Sequence, residues 1–145
     1  MEMVPKDFIG LAHELSYKFK TEAAFRSAIS RGYYGLYNLM SRFLVNNNIA
    51  LPDTGKAHDL TYKYLHNCED SEVRSLAKIL DDLHTGRNDA DYHLELTHYN
   101  NPNVAKMAYL KANTAYNGFE KVISKSSNRK KIVKGVIAHK NKTHT

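Results

Sequence analysis

Residues 71–94, SEVRSLAKILDDLHTGRNDADYHL, place apolar side chains at alternating intervals of three and four residues. This register contains Val73, Leu76, Leu80, Leu83, Arg87, Ala90 and Leu94. Such spacing is typical of an amphipathic helix that buries one face. The stretch therefore predicts a long helix that Ser71 opens and that carries one arginine on its apolar side.

Four further segments have helical character. A first helix is expected over residues 7–19, with Leu11 and Phe19 on its apolar face, and a second from its N-cap Thr21 to about residue 46. A short helix is expected over residues 57–66. A last long helix should begin at Asn101, with Pro102 in its first position. The pattern predicts an all-α, up-and-down bundle of four long helices and one additional short helix.

Two glycines, Gly32 and Gly35, interrupt the second helix. Each glycine costs up to about 1 kcal/mol relative to alanine inside a helix. We therefore expect them at a place where a second helix comes close.

Length and composition favour one cytoplasmic domain. The chain has 145 residues and a single cysteine, Cys68, so no internal disulfide can form. No apolar run approaches the length that spans a bilayer, and the N-terminal residues lack the pattern of a secretion signal. We expect no membrane association.

The net charge of +6 is concentrated at the C-terminal end. Residues 1–124 hold 14 Lys and Arg against 15 Asp and Glu, whereas residues 125–145 hold 7 basic residues and no acid. We therefore divide the chain into a helical domain, 1–124, and a basic tail, 125–145. The tail is either a nucleic-acid contact or a solvated, partly disordered end. Its candidate RNA contacts are Arg129, Lys130, Lys131 and Lys134; apolar residues at 132–133 and 136–138 suggest one packed turn.

The end of the fourth helix combines a cation, acids, a phenol and an imidazole. Arg87 can hold a phosphate and His93 can move a proton near neutral pH. Asp91 lies four residues after Arg87, which predicts an ion pair that either closes the helix end or orients the arginine. In a continuous helix, His93 would lie about 120° around and roughly 9 Å along from Arg87. Unless the helix ends before His93, the two side chains should therefore meet only where two copies of the chain meet.

A second segment gives this stretch a family context. Residues 28–37, AISRGYYGLY, together with residues 87–93, RNDADYH, resemble the HEPN family (higher eukaryote and prokaryote nucleotide-binding domains). That family carries a Ser-Arg-x-Tyr-Tyr segment on its second helix and an Arg-x-x-Ala-Asp-Tyr segment near the end of a later helix. Residues 56–60, KAHDL, are also similar. The resemblance covers about residues 7–124 and implies a helical bundle that is commonly dimeric.

The resemblance also implies a reaction. Arg87, Asn88 and His93 match the pattern of the catalytic branch, whose members are metal-independent endoribonucleases of the toxin or defence type. His93 would act as general acid or base, Arg87 would neutralise the phosphate, and Asn88 would add a polar hydrogen bond. Supporting residues would be Asp91, Tyr92, Ser30, Arg31, Tyr33 and Tyr34. The alternatives are core or dimer contacts for the tyrosines and an ion pair of Arg31 with Asp89 or Asp91.

The sequence leaves two other functions open. The chain could be a non-catalytic HEPN module that binds a nucleotide or docks a nucleotidyltransferase-type antitoxin or partner. Tyr92 could instead receive a nucleotide from such an enzyme. The expected partners are thus RNA, a second copy of the chain and such a nucleotidyltransferase. The histidines show no metal-ligand spacing, so we expect neither metal nor cofactor.

Overall fold

The computed structural model describes residues 2–143, which form six α helices and one turn of 3-10 helix. The α helices are α1 (Pro5–Tyr17), α2 (Glu22–Asn46), α3 (Lys56–His66), α4 (Ser71–Tyr92), α5 (Pro102–Ile123) and α6 (Ser126–Thr143). The 3-10 turn, Thr97–Tyr99, lies between α4 and α5. Helix α2 packs against α1, α4 and α5, while α3 covers α4 and α6 contacts α3 and α5. The predicted all-α bundle is confirmed, with one helix more than expected.

Side-chain caps begin three of the long helices. Thr21 Oγ1 accepts a hydrogen bond from the Ala24 N–H at 3.2 Å, and Asn101 Oδ1 accepts from Asn103 N–H at 2.9 Å. Both predicted caps are confirmed, since each satisfies an N–H that has no partner within its helix. Helix α4 begins at Ser71 as expected, and its cap is the preceding residue, Asp70.

Helix α1 begins and ends earlier than the sequence pattern indicated. Pro5 occupies its first position, and the Val4 N–H donates to the Asp7 carboxylate at 3.0 Å. The buried residues of the helix are Ile9, Ala12 and Ser16. Leu11 and Phe19 were expected on the apolar face but are 43 % and 52 % exposed. The prediction was wrong for these two residues because the helix packs through Ile9, Ala12 and Ser16 and ends at Tyr17, before Phe19.

The glycines of α2 lie where neighbouring helices come close. A Cβ at Gly35 would lie 2.6 Å from the Ile9 Cδ1 of α1, and a Cβ at Gly32 would lie 3.2 Å from the Ala112 Cβ of α5. The expected close approach is confirmed, and Gly35 admits no larger side chain without a shift of Ile9.

The basic tail forms a helix over residues 126–143, so neither a disordered end nor a single packed turn describes it. Ile132 and Val136 are fully buried in the main core. Gly135 passes so close to the Cys68 carbonyl that a Cβ there would overlap it. Packing of this apolar face stabilises a helix that its basic sequence alone would leave marginal.

The long helices bury one face and leave the other polar. In α4, Val73, Leu76 and Leu80 are buried, whereas Glu72 and Lys78 are exposed. Among residues 2–143, no helix combines the length and the sustained apolar character that crossing a membrane requires.

Candidate functional site

Arg87 projects from the last turns of α4 onto α2. Its side chain is 14 % exposed. Nη2 donates to the Tyr34 hydroxyl at 2.6 Å and to the Tyr92 hydroxyl at 3.3 Å, and Nη1 donates to Asn88 Oδ1 at 2.8 Å. Three partners thus hold the guanidinium in one orientation, although Tyr92 is itself 66 % exposed.

Asp91 provides the counter-charge for Arg87, and the predicted pair is confirmed. Arg87 Nε lies 3.2 Å from Asp91 Oδ2, but it makes no directed hydrogen bond with any residue that the structure describes. The pair is therefore held by charge. The same Oδ2 accepts from Ser30 Oγ at 3.0 Å, and Ser30 Oγ accepts from Arg31 Nη2 at 3.3 Å. Asp91 is fixed from α2 as well as α4.

Two guanidinium groups lie against the Tyr34 ring. The Cζ atoms of Arg31 and Arg87 lie 5.0 and 5.1 Å from its centroid, within the range of cation–π attraction. Arg31 also lies 5.2 Å from the centroid of Phe8. Among the described residues, Arg31 does not form the alternative ion pair with Asp89 or Asp91, and it contacts aromatic rings and the Ser30 hydroxyl instead. Tyr34 links α2 to the charge on α4.

His93 lies just beyond the last helical residue, where its backbone N–H donates to the Asp89 carbonyl at 3.0 Å. Its side chain is 52 % exposed, and Nδ1 is 3.3 Å from Glu95 Oε1. The structure brings Arg87 together with residues of α2 and directs His93 toward Glu95. The two candidate catalytic side chains thus have separate partners in this chain.

Sequence reasoning missed Arg26, which fastens the end of α4 to α2. Its side chain is buried, and Nε donates to Glu22 Oε2 at 2.9 Å. Nη1 donates to the carbonyls of Ala90 at 2.9 Å and His93 at 3.2 Å, and Nη2 donates to the Leu96 carbonyl at 2.7 Å. The last carbonyls of a helix lack partners within it. Arg26 supplies those partners and holds the segment that carries His93.

Sequence reasoning also missed a stack of histidine and tyrosine rings beside Arg87. His84 lies one helical turn before Arg87, and its ring stacks on Tyr33 at 5.1 Å and on His58 at 5.6 Å between centroids. His58 stacks on Tyr37 at 4.1 Å, and a short hydrogen bond joins its Nδ1 to the Tyr33 hydroxyl. The contact arises where α3 packs on α4. The spacing of the two histidines along the sequence gives no sign of this contact.

Burial and the charge of Arg87 keep this stack neutral. Burial lowers the pKa of His58 and of His84, and the positive charge of Arg87 lowers both further. Burial, followed by the neighbouring Tyr37 and Tyr34, raises the pKa of Tyr33 far above its ordinary value. Near pH 7 the imidazoles are therefore unprotonated and the Tyr33 phenol keeps its proton. A neutral imidazole can accept a proton.

The four candidate cations of the tail differ in their surroundings. Lys130 and Lys134 are exposed and line a groove of ≈ 530 Å³ between α6 and Asn47 at the end of α2. Arg129 Nη1 instead donates to the Ile123 carbonyl at 2.7 Å, at the end of α5. Lys131 Nζ lies 3.8 Å from Asp70 Oδ2. Three of the four are thus exposed, although Lys131 lies near Asp70, and only Arg129 is partly buried.

The end of α4 therefore unites an oriented guanidinium, an exposed phenol and unprotonated imidazoles. A guanidinium suits a phosphate group, and an imidazole suits proton transfer at that phosphate. No protein-family model, curated protein or solved structure matches this chain.

Proposed function

We propose that this chain is a metal-independent endoribonuclease of the HEPN type, acting in the cytoplasm as a toxin or defence protein. The observation that carries the proposal is the orientation of Arg87 by Tyr34, Asn88 and Asp91, on the helix end that bears His93. A cation held in advance of the reaction stabilises charge that develops on phosphate oxygens and needs no rearrangement as the charge appears.

The reaction is attack of a ribose 2′-OH on the adjacent phosphate. The phosphate would approach Arg87 from the side of Tyr92, whose hydroxyl is the longer of the two contacts to Nη2. It would replace that hydroxyl as acceptor. Asn88 Oδ1 accepts a hydrogen bond from the guanidinium, and Asp91 balances its charge. His93 transfers a proton to or from the reacting oxygens.

A second copy of the chain would complete the site. His93 lies beside Glu95 within its own chain, and we assign the Arg87 that acts with it on one phosphate to the other copy. Tyr92 and Leu94 flank His93 and are 66 % and 70 % exposed. A two-fold arrangement that covers Leu94 and leaves Tyr92 open to the substrate would bring each His93 toward the Arg87 of the other copy.

The exposed lysines of α6 would hold the RNA chain without reading its sequence. Lys130 and Lys134 lie on the outer side of the helix, and the tail contains no acidic residue to oppose them. Binding of this kind releases counterions and weakens steeply as salt increases.

The second candidate function rests on the exposure of Tyr92. In this function the chain is a non-catalytic partner of a nucleotidyltransferase, and Tyr92 is the group that the enzyme modifies. The phenol oxygen would form a bond to the α-phosphorus of a nucleoside triphosphate, and pyrophosphate would leave. Arg87 Nη2, which lies 3.3 Å from the Tyr92 hydroxyl, would then be next to the transferred phosphate. Intact-mass measurement after incubation with a nucleotidyltransferase and ATP would detect the adduct, which Tyr92→Phe would abolish.

RNA cleavage in the presence of EDTA tests the main proposal. The purified protein should convert an RNA oligonucleotide to fragments with 2′,3′-cyclic phosphate and 5′-hydroxyl ends, and it should leave the matching DNA intact. Arg87→Ala should reduce the rate at least 100-fold, because loss of a charge-stabilising donor costs about that factor. Arg74→Ala, on the exposed face of the same helix, is the matched control. Equal cleavage by the wild type and Arg87→Ala, or none by either, would contradict the proposal.

A further inference from the structure

Cleavage of RNA by its own 2′-OH requires two proton transfers. One group removes the proton of the 2′-OH, and another delivers a proton to the departing 5′ oxygen. The proposed site contains one exposed imidazole for this purpose, that of His93. A second proton-transfer group is needed near Arg87.

We propose that His84 is this second catalytic residue and removes the 2′-OH proton, while His58 and Tyr33 position its ring. The inference rests on the proposed ribonuclease function and names a residue for it. As the 2′ oxygen forms its bond to phosphorus, its proton passes to the His84 imidazole. The P–O5′ bond breaks, and His93 of the other copy gives its proton to O5′.

Position on α4 favours His84 for this role. It precedes Arg87 by three residues, which places both side chains on one face with a rise of about 4.5 Å along the axis. His84 is partly rather than fully buried. The stack with Tyr33 and His58 limits the ring to one plane, with interplanar angles of 21° and 15°. A general base needs this combination of access and fixed orientation.

The groups around His84 leave it as a base. Its surroundings carry Tyr33 and Tyr37 from α2, His58 and Asp59 from α3, and Asp81 and Arg87 from α4. Burial and Arg87 lower the pKa of His84, against the smaller opposite effects of Asp81 and Asp59. The imidazole is therefore neutral near pH 7 and able to accept the proton.

His58 acts through His84 and is a positioning residue. Its Nδ1 is hydrogen-bonded to the Tyr33 hydroxyl. The His58 ring also stacks on the Tyr37 ring, with 4.1 Å between centroids and 7° between planes. The Tyr33 phenol keeps its proton because burial raises its pKa, so it can donate to Nδ1. That bond fixes the His58 ring against which His84 stacks.

Two substrates distinguish the base from the acid. A dinucleotide has a poor leaving group that must receive a proton, whereas a 3′-(p-nitrophenyl) phosphate of uridine releases an anion that needs none. His84→Gln should lower kcat on both substrates by about 100-fold, the lower range for loss of a general base. His93→Gln should lower kcat on the dinucleotide, whereas its kcat on the nitrophenyl ester should be close to that of the wild type. His66→Gln, which removes a stacked histidine from another part of α3, should change neither rate.

The pH profile of kcat/KM separates catalysis from a structural role. In the wild type, the rate should rise with pH as His84 loses its proton, and this limb should disappear in His84→Gln. Full activity of His84→Gln on both substrates, or a loss with an unchanged acidic limb, would overturn the inference and leave the ribonuclease proposal intact. Absence of cleavage by the wild type under all conditions would overturn both. Circular dichroism melting of each variant shows whether the fold is retained.

Discussion

The two halves of α4 repeat the same spacing with opposite chemistry. In the first half, the inward positions are Val73, Leu76 and Leu80, which are buried in the main core. In the second half, the same register keeps the buried Leu83 and Ala90 but also contains Arg87, which is 14 % exposed and surrounded by polar and aromatic partners. The first half stabilises the bundle, and the second half uses the rigidity of the first to hold a cation. Their difference teaches that a helical register specifies which face turns inward, while the side chains decide whether that face becomes core or site.

The largest expected effect is on stability, from the first half. Leu80 is 1 % exposed, and Leu80→Ala should reduce the free energy of unfolding by about 2–5 kcal/mol because it leaves a cavity. Urea denaturation measures the change. RNA cleavage per folded molecule should stay at the wild-type value, and a parallel loss of cleavage in the folded protein would show that the halves are not separable.

Arg26→Ala should affect the second half locally. It removes the donors to the Ala90 and Leu96 carbonyls, and each buried acceptor left without a partner costs about 1–3 kcal/mol. Hydrogen exchange should accelerate over residues 89–99 and stay slow in the first half of α4. Arg74→Ala is the control. Uniform acceleration along the whole of α4 would contradict a local role for Arg26.

The imidazole stack predicts a pH dependence of stability. The ordinary pKa of histidine is 6.5, and burial lowers that of His58 and His84 in the folded state. Below pH 6.5 the unfolded chain therefore binds protons that the folded chain does not, and the stabilising contribution falls as pH drops toward the lowered values. The melting temperature should decrease between pH 7.5 and pH 5.5, and the decrease should be smaller in the double variant His58→Gln/His84→Gln. Equal decreases in both proteins would contradict the assignment.

The smallest expected effect concerns α6. Replacing both Lys130 and Lys134 with Gln should weaken RNA binding and reduce the slope of log Kd against log salt by about 1.4, since each single-strand phosphate contact contributes about 0.7. Cleavage at saturating RNA should be unchanged. The matched control replaces Lys18 and Lys20, which are exposed on the loop after α1. An equal change of slope in the control would show that binding is not localised to α6.

Local signals in the sequence accounted for most of the fold. Thr21 and Asn101 mark helix starts because their side chains bond the first free N–H groups, and those bonds depend on adjacent residues only. The inward register of α4 follows from its spacing in the same way. Helix α6 was underestimated because its stability depends on contacts of Ile132 and Val136 with distant helices. Such tertiary packing has no period that a sequence pattern records.

In the site, too, local contacts were predictable from the sequence and contacts between helices were not. The pair of Arg87 with Asp91 spans four residues of one helix, so its spacing was sufficient to predict it. The contact of His58 with His84 joins two helices, and the bonds of Arg26 to the end of α4 cross more than 60 residues. Glu22 four residues before Arg26 was the only local sign of a held arginine. Which carbonyls Arg26 reaches depends on how α2 and α4 pack.

Complementation between two inactive chains tests the central claim, that Arg87 and His93 act together only across two copies. Arg87→Ala and His93→Gln each remove one half of every site in their own homodimers. After equal mixing and subunit exchange, half of the dimers combine both chains and contain one intact site, so about a quarter of the wild-type rate of RNA cleavage should return. No activity above that of the separate variants, in a mixture shown to contain the mixed dimer, would contradict the composite site.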